Sequence, residues 1–563
     1  YARAIFGKTP AMLEFFSNRL GVSYPWPKYA QIVARDYVSG AMENTSATLH
    51  GEFLQKTSRQ LLDENNEDII SHELFHQWFG DLVTCESWSN IPLNESFATY
   101  GEYLWNEFDH GRQFADWRQH RSVQGYFSEA KNKKTADLIR FYYDDREDMF
   151  DAHSYNKGGA ILHMLRKEVG DDAFFKSLEL YLKTNQFKSV EIHNLRLAFE
   201  EVTGRDMNRF FNQWMLNSGH PVLKINYTHD ADSVYVDITQ KQSNDKGLTY
   251  QLPLKVNVHY GGIVMTYPIL LKNKKQHFAF KSLGTPDLID VDPERIVLCE
   301  KKENKTVDEY VYQYQHNHHY NAKREAIEAL KDSIRVSDKA TALYHQALQD
   351  PFFGLRKDAL NNIGHDSISK SLFLNAIERM ANSDSSNRVK QDALSYLSKL
   401  KDEKYLPMFT RMLSDSSYKC VSTALTAINK LDTALSQSSA ILLLKEPDNE
   451  LKGVCYTVLS ERYDSSLNHL FQSKLNEEAG YTKTNLFYHY ANYLTHGDSA
   501  LVAQGLQYLY ARGAEDVSKK YNSAAKKSIE RVRDYIKKRS DAPFYEAIKT
   551  LADDLIDKLK KLE

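Results

Sequence analysis

The sequence predicts a multidomain α+β chain, because the period of its apolar residues changes twice along its length. Apolar residues recur at helical spacing to about residue 219, alternate at strand spacing from Val222, and return to helical spacing after about residue 306. With 563 residues the chain is long enough for three or four cores at roughly 100 to 200 residues each. The expected division is a mainly helical catalytic unit at 1–219, a small β-sandwich at 220–305 and an all-helical unit at 306–563.

The elements of the first unit follow in order. Phe6, Met12, Leu13, Phe15, Phe16 and Leu20 lie on one face of an amphipathic helix. Ile32 to Val38, rich in β-branched residues, reads as a strand that runs into Gly40-Ala41-Met42-Glu43-Asn44. Asn66 is placed to cap a helix whose first turn holds Glu67 and Asp68; Ile69, Ile70, Phe75, Trp78 and Phe79 follow, and Gly80 sits where helices commonly stop. A second helix opens at Pro92, whose missing N–H is harmless in a first turn, and carries Glu95, Ala98 and Glu102 along one face. The apolar run from Ala160 to Leu165 predicts a further helix, and Gly219-His220-Pro221 ends the unit. Beyond it, Val222–Tyr227, Val234–Ile238, Leu252–Val258 and Ile263–Met265 alternate as strands. In the last unit Ala329-Leu330, Ala359-Leu360, Ala393-Leu394, Ala424-Leu425 and Val458-Leu459 recur every 30 to 34 residues, as in stacked helical pairs of the HEAT or armadillo sort; an irregular helical bundle is the alternative.

The chemistry is concentrated between residues 40 and 160. On a helix His72 and His76 lie one turn apart on one face, so both imidazoles reach a single cation while Glu73 stays beside it as a base. Glu95, on the second helix, is a credible third ligand. With 20 histidines in the chain, a chance match to His-Glu-x-x-His is expected in only a few hundredths of such sequences, on the order of magnitude of a random draw. Two imidazoles and one carboxylate are a zinc donor set that leaves room for water. Gly40-Ala41 at a strand edge permits close backbone approach, so a peptide can add there as a strand, with the Glu43 carboxylate at its end for a cationic group. That arrangement suits an exopeptidase.

Gly40-Ala41-Met42-Glu43-Asn44, His72 to Gly80, Leu93 to Ala98, and Tyr155-Asn156-Lys157-Gly158-Gly159 together resemble the aminopeptidase N family of gluzincin metallopeptidases. The resemblance implies a thermolysin-like fold for 1–219, and one zinc per chain on His72, His76 and Glu95 with Glu73 as general base. It implies that Glu43 holds the free α-amine of a peptide substrate, that the Gly40-Ala41 backbone aligns the peptide, that Met42 helps form the first side-chain pocket, and that Tyr155 stabilises the oxyanion. The helical unit is expected to form a bowl that favours short peptides. Family members carry a β-rich domain before this point, so the beginning of the chain reads as cut, and resemblance to bacterial members points to the bacterial cell envelope, with the cytoplasm as the alternative. Ser96 stands where glycine usually follows the ligand glutamate, and Asp81 where asparagine is frequent. Asp81 and Glu102 are both placed to support a metal-bound histidine.

A net charge of −3 gives no global attraction to nucleic acid, and the basic stretch from Lys519 to Arg539 reads as a solvated helix face. No apolar run approaches the roughly 20 residues of a membrane span. Cys85, Cys299, Cys420 and Cys455 lie too far apart for a thiolate metal site and read as free. Three rival functions share parts of the pattern: a thermolysin-like endopeptidase, which needs no Glu43; a leukotriene-hydrolase-like enzyme, whose relatives carry Gly-Gly before Met-Glu; and a silent scaffold, which loses ligands that this chain keeps.

Overall fold

The computed structural model describes residues 2–35, 37–132, 135–242, 247–515, 520–538 and 544–562. It divides into two compact units, Tyr1–Ser58 with Asn65–Leu374, and Arg59–Glu64 with Asn375–Glu563.

In the first unit the helix Thr9–Leu20 buries Met12, Phe16 and Leu20. The Phe16 ring meets the edges of Phe75 and Trp78 at 4.8 and 6.3 Å, which seats this helix under the histidine motif. A three-stranded sheet lies beside it in the order Ala30–Ala34, Ala47–Gly51, Ala41–Met42. Its first strand is shorter than the expected Ile32–Val38: it ends at Ala34, the chain turns at Arg35, Asp36 lies outside the described residues, and Val38 is exposed. Ala41–Met42 pairs on one side only, antiparallel to His50 and Leu49, and is therefore an edge strand.

The helix Glu67–Phe75 packs across Pro92–His110, which in turn packs on Gly158–Val169. Phe75, Phe79, Phe97 and Tyr181 stack between them, with Phe79 and Phe97 centroids 4.2 Å apart. Each ring buried here removes a large apolar area from water, so the helices that carry the histidines and Glu95 are held at fixed separation.

The sandwich has two sheets, ordered Lys275–Lys281, Ser233–Gln240, Val222–His229, Glu300–Glu303 and Leu288–Val291, Leu252–Tyr260, Ile263–Leu271. Ser233–Gln240 alternates as the sequence predicts, with Val234, Val236 and Ile238 buried. These residues share one continuous apolar core with the helices of the first 219 residues, from Ile5 to Leu298. Glu300–Glu303 was not expected as a strand, since it reads Glu-Lys-Lys-Glu; it pairs parallel to Val222–Ile225. Its charges enter a buried ionic network in which Lys305 Nζ lies 2.7 Å from Asp290 Oδ1, Arg295 Nη2 lies 2.9 Å from the same oxygen and 2.5 Å from Glu325 Oε2, and Lys301 Nζ lies 2.9 Å from Glu325 Oε1. Thr306 and Glu309 then form a reciprocal cap on the next helix, Val307–His316.

In the second unit the helices Asn387–Leu400, Tyr418–Asn429, Asn449–Ser460, Gly480–Leu494 and Lys520–Lys537 are neighbours in that succession. Ala393, Leu394, Ala424, Leu425, Val458 and Leu459 are all buried along this row. Lys520–Lys537 buries Ala524, Ala525, Ile529, Val532 and Ile536 and exposes Lys527, Arg531, Asp534 and Lys537; Lys519 and Arg539 lie outside the described residues. Among the described residues no helix is long and apolar enough to cross a membrane, and the four cysteines are free.

Candidate active site

The histidine helix is capped differently from the sequence expectation. Asn66 has φ 56°, in the left-handed region, and makes no cap bond, its Oδ1 accepting instead from Lys56 Nζ at 3.3 Å; Asn65 takes its place, accepting from the Glu67 amide at 3.3 Å and donating to Glu67 Oε1 at 2.7 Å. The regular helix ends at Phe75, yet the His76 amide still donates to the His72 carbonyl at 3.2 Å, so the two imidazoles keep the one-turn spacing, with centroids 4.9 Å apart. The turn closes at Gly80, φ 142°, where a Cβ would lie 3.1 Å from His76 Nδ1. Glycine there leaves space for that ring.

Glu95 lies in the first turn of Pro92–His110, and its Oε2 is 3.3 Å from Nε2 of both His72 and His76. The far ring nitrogens fix the tautomers. His72 Nδ1 donates to Glu102 Oε1 at 2.8 Å, and His76 Nδ1 donates to the Phe79 carbonyl at 2.9 Å. With both Nδ1 protons committed, both Nε2 atoms face the point that Glu95 also faces, where a proton or a metal cation can be held. All three atoms lie within 4.8 Å of one another, a donor set that fits zinc.

The electrostatics ask for positive charge at that point. Burial alone lowers an imidazole's pKa, but Glu43 and Glu95 outweigh it and raise His76 to about 9. Burial is likewise overcome at His72, which Glu102 and Glu95 hold well above its ordinary value. Burial opposes the Glu95 charge, and His76 and His72 still keep its carboxyl well below the usual carboxylate range. Two other groups of acidic and histidine residues come together but are already compensated. Lys8 Nζ sits 2.8 Å from Glu67 and 2.7 Å from Asp109, beside His110, and His153 Nε2, beside Glu129 and Asp151, accepts the Ala136 amide at 3.2 Å.

Glu73 is buried beside the histidines, and its Oε2 has no hydrogen-bond partner among the described residues. Burial pushes its carboxyl up to about 7. Glu43 lies just beyond the edge strand, its Oε1 4.0 Å from His76 Nδ1. Met42 is partly exposed, and nothing lies within 4 Å of where a Gly40 Cβ would point. The Tyr155 ring stacks on His72 at 6.0 Å and 16°, and its hydroxyl reaches Glu95. Thus Glu43, His72, Glu73, His76, Glu95 and Tyr155 gather at one place, and Gly40, Ala41 and Met42 form the segment that leads into Glu43.

Of the two supporting acids, Glu102 bonds an imidazole and Asp81 does not, because the Phe79 carbonyl already takes His76 Nδ1. Asp81 instead bonds Thr45, and burial raises its carboxyl to about 7. Three further supports were not singled out in the sequence. Gln77, fully buried, donates to the Glu43 carbonyl at 3.0 Å and accepts from the Ser46 amide at 2.8 Å, tying the Glu43 loop to the histidine motif. Asp151 accepts from the His153 and Ser154 amides at 3.0 Å each, and Arg140 grips Asp151 with two bonds of 2.6 and 3.1 Å. They brace the π-helical turn His153–Lys157 that presents Tyr155. Only the position of Gln77 beside His76 could have signalled any of them.

Residues 5–214 match the peptidase family M1 domain. The chain is 33% identical over 256 residues to aminopeptidase N of Streptomyces lividans (43% of this chain, 29% of that one), and 32% identical over 264 residues to tricorn protease-interacting factor F2 of Thermoplasma volcanium (45% and 33%). The alignments therefore span about a third of the length of these relatives. A crystal structure of Legionella pneumophila aminopeptidase A in complex with aspartic acid has a similar fold, with a TM-score of 0.67 at 16% identity, covering 99% of this chain and 74% of that one. Residues 5–214 therefore carry a peptidase family M1 domain, similar over this part of the chain to that of aminopeptidase N.

Proposed function

We propose that this chain is a zinc aminopeptidase that removes N-terminal residues from short peptides. The observation that carries the reading is the convergence of His72 Nε2, His76 Nε2 and Glu95 Oε2, with both Nδ1 protons held elsewhere. Zinc bound by these three residues supplies Lewis acidity toward the scissile carbonyl and an acidified water.

The chain's own residues do the rest. The open edge of Ala41–Met42 pairs with the substrate backbone, and Glu43, beyond its end, takes the α-ammonium group and fixes which peptide bond is presented. The unpartnered Glu73 Oε2 accepts the water's proton and returns it to the departing amine nitrogen. The Tyr155 hydroxyl donates to the carbonyl oxygen as negative charge develops there, an effect worth about 3 kcal/mol for one well-placed donor. Names of relatives that include aminopeptidase support the reading. The row of alternate helices in the second unit supports reading it as HEAT- or armadillo-like repeats.

The test is a panel of aminoacyl fluorophores and their N-acetylated forms, assayed on the full chain with and without chelator. Hydrolysis of the free amines only, lost to chelator and restored by zinc, is expected. Chelator-insensitive turnover overturns the metal, and equal rates on acetylated substrates overturn the aminopeptidase in favour of an endopeptidase.

A further inference from the structure

Ser96 replaces the glycine usual after the ligand glutamate, and the fold gives its hydroxyl a specific partner. The residue is buried, and its Oγ donates to the Ser154 carbonyl oxygen at 2.7 Å. That carbonyl shares a planar peptide unit with the Tyr155 nitrogen. The side chain next to Glu95 therefore holds the peptide that leads into Tyr155.

The packing leaves no slack around this bond. A Cβ on Gly158 would lie 1.8 Å from Ser96 Oγ, and one on Gly159 would lie 3.1 Å from Thr99 Cγ2. Ser96 and Thr99 are three residues apart on one helix face, and the glycine pair lets the start of Gly158–Val169 close onto both. Ser154 is held from its other sides as well, its amide by Asp151 Oδ1 at 3.0 Å and its hydroxyl by Arg140 Nη2 at 3.1 Å. Of these three contacts only Ser96 comes from the helix that carries Glu95.

We propose that Ser96 is a positioning residue for Tyr155, coupling the placement of its phenol to the Glu95 helix. The inference rests on the proposed role of Tyr155 at the oxyanion. A hydroxyl aimed at charge that develops in the transition state is sensitive to sub-ångström displacement, so losing the tether lowers turnover more than substrate affinity.

The test is a double-mutant cycle on the full chain with Ser96→Ala and Tyr155→Phe, following kcat, KM and zinc content, with amide exchange across residues 153–158 as a readout independent of activity. Ser96→Ala is expected to lower kcat about five- to tenfold, as one buried hydrogen bond allows, with KM within about twofold, zinc content unchanged and exchange at 154–158 faster. Tyr155→Phe is expected to lose about 10²- to 10³-fold in kcat. The double variant should fall no further than Tyr155→Phe alone. Ser96→Gly, which also lacks the hydroxyl, repeats the cycle if the alanine variant does not fold. A multiplicative loss in the double variant, a Ser96→Ala kcat equal to wild type, or a kcat loss that tracks zinc loss overturns the inference. Wild-type kcat in Tyr155→Phe instead overturns the underlying reading of Tyr155.

Discussion

Glu73 and Glu43 are both acidic and stand in the same site, but their surroundings separate their tasks. Glu73 is enclosed beside the two imidazoles with one oxygen unpartnered, whereas Glu43 sits past an open strand edge with its backbone carbonyl tied to Gln77. Glu73→Gln is expected to keep stoichiometric zinc and lose at least about 10²-fold in turnover, whereas His76→Ala loses both metal and turnover; metal analysis beside a rate assay separates them. Glu43→Ala should mainly erase the preference for a free amine over an acetylated one, read as the ratio of kcat/KM for the two substrates. At this scale the reacting groups were legible because one-turn spacing on a helix dictates where side chains go. The braces were not, because the contacts of Gln77, Asp151 and Arg140 depend on loops and a π-helical turn that leave no periodic trace.

The helix Glu67–Phe75 begins in a charged cluster whose protonation should register in stability. Burial works against the Glu67 charge, but His110 and Lys8 outweigh it and lower its carboxyl to about 2. A folded value below the unfolded 4.5 means that the contribution is fully present above about pH 4.5 and disappears as pH falls through about 2. Because the Lys8 partner is partly exposed and screened by water, it amounts to about 1–2 kcal/mol. Glu67→Gln should therefore lower Tm near neutrality and flatten the Tm–pH curve between about pH 5 and 2; an unchanged slope contradicts the pairing. A second prediction concerns helix contact. Gly158→Ala forces a methyl group into Ser96 and should cost about 1–3 kcal/mol, partly recovered by Ser96→Gly, as denaturant titration would show. The helices around the site were readable from their apolar faces, while the cap moved from Asn66 to Asn65 because Asn66, at positive φ, makes no cap bond and accepts from Lys56 instead.

Across the first unit, one apolar core joins the helices around the candidate site to the sandwich, and a buried ionic network ties the sandwich to the helices that follow. Asp290→Asn removes the carboxylate that faces Arg295 and Lys305 and should destabilise by about 3–5 kcal/mol, measurable as a shift in the denaturation midpoint without loss of zinc affinity. The changes of period that predicted helices, then strands, then helices appear in the fold, but Glu300–Glu303 was invisible to them because its inward positions carry charges rather than apolar side chains. The account as a whole depends on one cation between two helices. Crystals of the full chain grown with zinc, measured on either side of its absorption edge, test this most directly. One anomalous peak about 2.0–2.2 Å from His72 Nε2, His76 Nε2 and Glu95 Oε2 is predicted, and a peak only at the Glu67, Asp109 and His110 cluster, or none at all, would contradict it.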